Sequence, residues 1–226
     1  MLDKDRHQLV LKQLLRELFS DNELSAQLIF KGGTALMLFY GLPRFSTDLD
    51  FDIRDSVQDI DFDRLCVAVA RHLIIRDSAA KENTYLIEGS YSSGMQQVKI
   101  EVSRRRYPQT VALHGFLGKS IPLLSTDCLL AHKLCAITSR RILQNRDIYD
   151  ADFMLKKNWE PNVEIIKLRS GLSLSGYYGE LLKVTENPKI ANNVMLGLGE
   201  VLGQEERQWV RKNLVSSFRE QLLLRM

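Results

Sequence analysis

The segment that decides the fold is residues 48–53, which read DLDFDI, with aspartates and apolar residues in strict alternation. Residues two apart in a β-strand point to the same face, so the pattern predicts a strand with carboxylates on one side and apolar side chains on the other. Hard divalent cations prefer oxygen ligands, which makes Asp48 and Asp50 candidate metal ligands. Asp52 is left out of this set, as the outer end of the face. The alternative is a solvent-exposed strand whose aspartates have no functional role.

Upstream, residues 30–34 read FKGGT and open a helix predicted over residues 35–40. Glycines at such a point let a phosphate approach the backbone N–H groups of a helix N-terminus. Gly32, Gly33 and the hydroxyl of Thr34 are therefore candidate phosphate-binding groups. A simple strand-to-helix turn is the alternative.

A third acidic residue lies on another predicted strand, residues 97–103. Glu101 alternates with apolar neighbours, so it lies on the face opposite to them. If this strand neighbours the first one, Glu101 completes a cluster of carboxylates of the kind that a two-metal site needs. A surface glutamate paired with Lys99 or Arg104 is the alternative.

The remaining patterns divide the chain near residue 125, where strand signals stop. Helices are predicted at residues 7–19, from 22 or 25, at 63–75 and over most of the chain after 126; strands are predicted at 84–88 and 97–103, joined through Gly89, Ser90 and Gly94, with a short apolar segment at 121–124. We therefore expect one domain over residues 1–125 and a helical domain over residues 126–226.

Composition is that of an ordinary globular protein: 226 residues, 45% hydrophobic and 26% charged, with a net charge of +3. Disorder is not expected at this balance. The charge surplus comes from residues 126–226, since residues 1–125 carry equal numbers of acidic and basic side chains. No window reaches the length of a membrane span, and residues 1–16 are charged throughout without an apolar signal core. We expect a soluble, cytoplasmic protein with no membrane partner.

The second half carries a basic pattern of its own. Residues 131–141 predict an amphipathic helix on which Lys133 and Arg140 share a face. Asp147 follows Lys133 by two heptads, about 21 Å along one straight helix. Both can serve one site only if the helix breaks between them, and Asn145 is the residue expected to cap the second helix. The alternative is a solvated basic face with a capping acid.

Together these segments resemble one family. KGGTAL at residues 31–36 and RFSTDLDF at residues 44–51 are similar to the signature of the AbiEii/AbiGii-type nucleotidyltransferase toxins, within the wider DNA polymerase β-like superfamily. The superfamily's usual Gly-Ser opening is Gly-Gly-Thr here, as in the closer relatives. The family's later pattern is matched by Lys133, Ala136, Arg140 or Arg141, Arg146, Asp147 and Asp150. The motifs span residues 31–150.

The resemblance implies an α+β fold, with a small mixed β-sheet nucleotidyltransferase core flanked by helices and followed by a helical C-terminal domain. It implies the toxin of a bacterial toxin–antitoxin or abortive-infection pair. Members use NTP as substrate with Mg²⁺, and some add nucleotides to the 3′ end of tRNA. The partners implied are an RNA, expected to be tRNA, and a winged-helix antitoxin encoded nearby.

The expected site residues, from the patterns and the resemblance together, form three groups. Asp48, Asp50 and Glu101 are expected to hold Mg²⁺, and Glu101 also to help activate a 3′-hydroxyl. The nucleotide-binding set is expected to comprise Gly32, Gly33, Thr34, Ser46, Lys133 and Arg146. Asp147 is expected to act as an active-site acid that orients Lys133 or the nucleotide. The basic second half and the run 104–106, RRR, are expected to meet RNA phosphates.

Other functions remain open at this stage. The same residues suit a nucleotidyltransferase that acts on a small molecule, such as an aminoglycoside, or on protein hydroxyls. They also suit a regulatory module that binds NTP without transferring it. A plain nucleic-acid-binding protein is a further alternative, which the modest net charge disfavours.

Overall fold

The computed structural model describes residues 3–91, 97–140 and 144–226, together with the backbone but not the side chain of Lys189. Met1, Gly94 and Arg141, which the sequence patterns include, lie outside the described residues. The chain forms two units. The first comprises Met1–Gly41 and Phe45–Ser125, and the second comprises Leu42–Arg44 and Thr126–Met226.

The first unit contains helices and all the strands of the described chain. Its elements are α1 (Lys4–Leu18), α2 (Asn22–Gln27), β1 (Leu28–Lys31), α3 (Gly32–Tyr40), β2 (Leu49–Ile53), α4 (Phe62–Ala70), β3 (Ile74–Ala80), β4 (Thr84–Ser90), β5 (Gln97–Ser103), β6 (Val111–Phe116) and β7 (Lys119–Leu124). Aspartate side chains cap α1, α2 and α4 by accepting backbone N–H bonds. Such N-caps satisfy amide groups that the first helical turn leaves without partners.

The described strands form one mixed sheet in the order β3-β4-β5-β2-β1-β7-β6. The acid-bearing strand β2 lies in its centre, parallel to β5 and antiparallel to β1. A parallel pair also joins β1 to β7. The sequence-based expectation of a mixed sheet flanked by helices is confirmed, and the central place of β2 gives it neighbours on both edges.

The apolar face of the sheet is the core of the first unit. Leu49, Phe51 and Ile53 of β2 are at most 2% exposed and alternate with the aspartates. They belong to a buried cluster that contains apolar residues of β1, β4, β5 and β7 and of helices α1, α2 and α4. Burial of such side chains contributes roughly 1.5–3 kcal/mol each, which fixes the register of β2 and thereby directs the aspartates to the opposite face.

One local prediction is corrected, and two strands were not predicted. The helix predicted over residues 63–75 ends at Ala70, and Ile74 and Ile75 begin the edge strand β3, which pairs with β4. β-Branched residues suit a strand, and cross-strand pairing overrides the helical periodicity. The patterns also do not predict β1 or β6. Each is short, and β6 shows no alternation of apolar and polar residues.

The second unit is helical. Its elements are α5 (Thr126–Ser139), α6 (Asn145–Lys156), α7 (Val163–Ser170), α8 (Leu174–Thr185), α9 (Pro188–Asn192) and α10 (Gln204–Leu223). On α10, Val210, Leu214, Phe218 and Leu222 are buried, which makes this face core. Among the described residues, no helix combines the length and apolarity that crossing a bilayer requires.

The helix break predicted between Lys133 and Asp147 is present, between α5 and α6. The expected cap is corrected: Gln144 holds the N-cap position, and Asn145 is the first helical residue. The Asn145 side chain is buried and donates a hydrogen bond to the carbonyl of Asn193, 2.7 Å away. The tertiary contact therefore uses the side-chain NH2 group, and the side-chain oxygen that a cap would use accepts no hydrogen bond among the described residues.

Glycines with positive φ bound α3 at both ends, Gly32 at φ 82° and Gly41 at φ 74°. A Cβ on Gly41 would meet nothing within 4 Å, but a Cβ on Gly32 would lie 2.2 Å from Asp50 Oδ2 and 2.8 Å from Asp50 Cβ. Only glycine therefore satisfies both the dihedral angle and the close approach at Gly32.

We predict that Gly32→Ala destabilises the protein more than the matched variant Gly41→Ala. Both substitutions introduce the strain of a left-handed alanine, about 1–2 kcal/mol. Gly32→Ala adds overpacking against Asp50, about 1–3 kcal/mol. Urea unfolding of both variants measures the difference, and equal free energies of unfolding would contradict the close approach.

Candidate active site

The polar face of the central strands gathers three carboxylates, which we call the carboxylate face: Asp48, Asp50 and Glu101. Register pairs Asp50 with Glu101 across β2 and β5. Directly paired residues on neighbouring strands point to the same side of a sheet. Asp48 directly precedes β2, two residues before Asp50, and all three side chains are half-buried. The structure therefore pairs Asp50 with Glu101 and places Asp48 at the start of the same strand, and their joint action at one site stays a prediction.

Lys99 lies on the same face, two residues before Glu101. Its Nζ is 2.9 Å from Glu101 Oε2. Partial burial lowers the pKa of Lys99, but the bond to Glu101 and the charges of Asp48 and Asp50 outweigh burial and hold the pKa above its usual value. Sequence reasoning mentions Lys99 only as a surface partner of Glu101. Its spacing of two residues from Glu101 is the signal that places it among the acids.

The glycine turn closes against this face. Lys31 pairs in register with Asp50, and the backbone then turns at Gly32 into α3 beside the Asp50 side chain. The Thr34 hydroxyl, fully buried, donates a hydrogen bond to the backbone carbonyl of Asp48. Thr34 therefore fixes the backbone at Asp48, and its proton is engaged there. Phosphate binding by this turn would rest on the backbone N–H groups, including that of Gly33.

The loop that leads into β2 is held by the first helix. His7 is fully buried, and its Nε2 donates to the carbonyl of Thr47 at 2.9 Å. The other ring nitrogen lies 3.1 Å from the hydroxyl of Tyr91. Ser46, in the same loop, is 9% exposed. Asp48 is thus fixed through Thr34 on one side and through its neighbour Thr47 on the other.

Asp52 belongs to the fold. Its Oδ1 lies 2.5 Å from Nζ of Lys31, and its side chain is only 4% exposed. This pairing explains why the third aspartate of the alternating strand is neutralised within the sheet. Its exclusion from the ligand set stays a prediction.

A separate charge network lies in the second unit. Lys133 Nζ on α5 is 2.7 Å from Asp150 Oδ2 and 3.3 Å from Asp147 Oδ1, both on α6. Arg44 holds Asp150 through two hydrogen bonds of 2.5 and 2.6 Å. Arg140 Nε is 2.7 Å from Asp147 Oδ2, at ion-pair distance without hydrogen-bond geometry. Three cations therefore surround two fully buried carboxylates, which leaves one positive charge in excess.

Burial alone would raise the pKa of Asp150, but the charges and hydrogen bonds of Arg44 and Lys133 outweigh it, so the pKa lies below its usual value. A buried carboxylate needs such partners to remain ionised. Asp150 therefore stays charged and anchors Arg44, a residue of the short segment Leu42–Arg44, within the second unit. Sequence reasoning gives no role to this pair, because a separation of over a hundred residues hides it.

Two of the three arginines at residues 104–106 make contacts within the fold. Arg104 bonds Asp59 at 2.8 Å and lies over the ring of Tyr85. Arg106 donates to four backbone carbonyls in the segment 53–58. Guanidinium groups with these contacts clamp the loop after β2, and contact of this run with RNA stays a prediction. The predicted nucleotide-binding residue Arg146 is half-buried in the first turn of α6.

The donor set of the carboxylate face fits a hard cation in type, since Mg²⁺ takes carboxylate oxygens. Gly32 lets the backbone lie directly against the Asp50 carboxylate, because a Cβ there would collide with it. Over residues 3–91, 97–140 and 144–226, no three Asp, Glu, His or Cys side chains already lie close enough to hold a metal ion. The Glu101 carboxylate contacts Lys99. The carboxylate face therefore offers oxygen donors that suit Mg²⁺, and in this structure Lys99 neutralises part of their negative charge.

Comparison with known structures supports the fold. The crystal structure of JHP933 from Helicobacter pylori matches with a TM-score of 0.61 and 20% identity, covering 100% of this chain and 95% of that one. A putative nucleotidyltransferase from H. pylori matches with a TM-score of 0.60 and 21% identity over 100% and 99% of the two chains. The nucleotidyltransferase toxin MenT4 from Mycobacterium tuberculosis H37Rv matches with a TM-score of 0.60 and 16% identity, covering 97% of this chain and 82% of that one.

A search among curated proteins found no match. The family model described as "Nucleotidyl transferase AbiEii toxin, Type IV TA system" matches residues 13–171, which include the carboxylate face and the charge network of the second unit. The match covers more than half of the chain and confirms the resemblance seen in the motifs. The chain belongs to the AbiEii family of nucleotidyltransferase toxins.

Proposed function

We propose that this nucleotidyltransferase toxin transfers a nucleotide from NTP to the 3′ end of an RNA, with tRNA as the acceptor. The observation that carries the proposal is the register of β2 and β5, which sets Glu101 opposite Asp50 on the face that also holds Asp48. Three carboxylates beside a glycine turn suit the transfer of a phosphoryl group, in which positioning and charge neutralisation do most of the work.

In the proposed reaction, the oxygen of the RNA 3′-hydroxyl forms a bond to the α-phosphorus of the NTP. The bond from the α-phosphorus to the oxygen that bridges to the β-phosphate breaks, and pyrophosphate leaves with that oxygen. A carboxylate oxygen of Glu101 takes the hydroxyl proton. Glu101 suits this role because its side chain is 39% exposed to solvent.

Asp48, Asp50 and Glu101 would hold Mg²⁺, which when bound neutralises phosphate charge and polarises the reacting oxygens. The close approach at Gly32 keeps the backbone of the glycine turn beside these acids. We propose that the N–H groups of Gly33 and Thr34 bind the β- and γ-phosphates.

We further propose roles in nucleotide binding for residues of the second unit. Lys133 offsets triphosphate charge as a point cation, and Arg146 adds to nucleotide binding. Asp147 acts as a positioning residue, since its carboxylate lies between Lys133 and Arg140. The positive charge in excess in this network favours an anionic ligand.

Membership of a toxin–antitoxin family implies a cognate antitoxin. We propose that it is a winged-helix protein encoded by a neighbouring reading frame. Co-expression of that frame should relieve growth inhibition by this protein.

Incubation with each labelled NTP, Mg²⁺ and total RNA, separated on a denaturing gel, tests the acceptor. We expect label in the tRNA band. Parallel reactions with an aminoglycoside and with cell protein separate the other acceptors, and NTP binding without pyrophosphate release would indicate a regulatory module.

We predict that Asp48→Asn lowers nucleotide incorporation by roughly 100-fold or more, as loss of one preorganised electrostatic group does in other enzymes. The matched control is Asp55→Asn, the same chemical change at an exposed position just beyond β2. Initial rates of incorporation and far-UV circular dichroism measure activity and folding. A folded Asp48→Asn protein with full activity would remove this residue from the site.

We predict that Lys133→Met raises KM for NTP about tenfold or more, because it removes a cation from the proposed triphosphate site. Lys183→Met is the control, since Lys183 lies in the same unit and its side chain is 71% exposed. Thermal unfolding accompanies the kinetics, because Lys133 also neutralises buried carboxylates. Normal KM and kcat in a folded Lys133→Met protein would show that its role is structural alone.

A further inference from the structure

We propose that Lys99 is the internal counter-cation of the carboxylate face. Lys99 holds Glu101 while no divalent cation is bound, and it releases Glu101 when a divalent cation binds. The inference rests on the proposed function, since it assumes that Asp48, Asp50 and Glu101 are the cation ligands. It assigns a positioning role to a residue that the family motifs do not include.

The geometry places Lys99 where a cation would compete with it. Val98 and Ile100 point into the core and are fully buried, so the side chains of Lys99 and Glu101 emerge together on the opposite face. Their charged atoms are 2.9 Å apart. Because Glu101 pairs in register with Asp50, the ammonium group contacts a carboxylate that lies beside Asp50 in the sheet.

The electrostatics agree with this placement. The charges of Asp48 and Asp50 both act on Lys99, in addition to the direct contact with Glu101. Lys99 thus partly neutralises the whole face, where unrelieved like charges would destabilise the strands. A divalent cation would supply the same neutralisation with twice the charge.

The exposure of the Lys99–Glu101 ion pair favours its opening. The side chains of Lys99 and Glu101 are 37% and 39% exposed, whereas those of Lys31 and Asp52 on the same face are 21% and 4% exposed. Ion pairs in contact with solvent are weak, and buried ones are difficult to break. The Lys31–Asp52 pair therefore belongs to the fold, and the Lys99–Glu101 pair is suited to opening.

Isothermal titration calorimetry of Mn²⁺ binding to the protein, without nucleotide, tests this role directly. We expect Lys99→Met to bind Mn²⁺ roughly five- to tenfold more tightly than wild type, the effect of removing one charge near a divalent ion in a solvated site. Lys99→Arg retains the charge and should bind like wild type. Lys81→Met, which removes an exposed lysine of the same unit, controls for net charge.

The outcomes separate the inference from the proposed function. Tighter binding by Lys99→Met alone supports the counter-cation. If wild type binds Mn²⁺ and Lys99→Met binds it equally or more weakly, the inference is wrong, and the metal site stands. If Lys81→Met shows the same gain as Lys99→Met, the effect is one of net charge and the inference is also wrong. Absence of Mn²⁺ binding in every variant overturns the metal site and the inference together.

Discussion

The structure depends on the mutual repulsion of carboxylates that one strand directs to a single face. Burial of Leu49, Phe51 and Ile53 makes this direction unavoidable, because a shift of one residue would expose the core and bury the acids. The fold then has to supply positive charge at the face. Lys31 does so for Asp52, and Lys99 does so for Glu101 and its neighbours. A nucleotidyltransferase centre can use the negative charge that these two lysines leave on the face.

Acidic residues in this protein divide according to how their partners are held. Asp150 is fully buried between Arg44 and Lys133, and its pKa is lowered despite burial, so it remains ionised and anchors Arg44. Glu101 is more than a third exposed and shares a lysine with its neighbours. The buried Arg44–Asp150 pair serves the fold, and the solvated Lys99–Glu101 pair leaves groups that a ligand can bind.

Local chemistry was predictable where it depends on short spacing. The alternation of β2 and the opposite face for Glu101 follow from a period of 2 residues. The break between Lys133 and Asp147 follows from the length of a straight helix, on the condition that both residues serve one site. What the sequence could not reveal depends on contacts between distant segments. The pairing of Arg44 with Asp150 and the adjacency of β2 and β5 join residues about 50 to 100 positions apart. Likewise, the sequence does not show that Asn145 donates a hydrogen bond to Asn193 or that Arg106 donates to backbone carbonyls after β2.

The central claim is that the carboxylate face is the reaction centre for attack by an RNA 3′-hydroxyl. Pyrophosphate release per NTP, measured with intact tRNA and with tRNA whose terminal ribose has been oxidised with periodate, tests it most directly. The account predicts one pyrophosphate per nucleotide added to intact tRNA, none with oxidised tRNA, and none from a folded Asp50→Asn protein. Release at the wild-type rate from Asp50→Asn, or from oxidised tRNA, would contradict it.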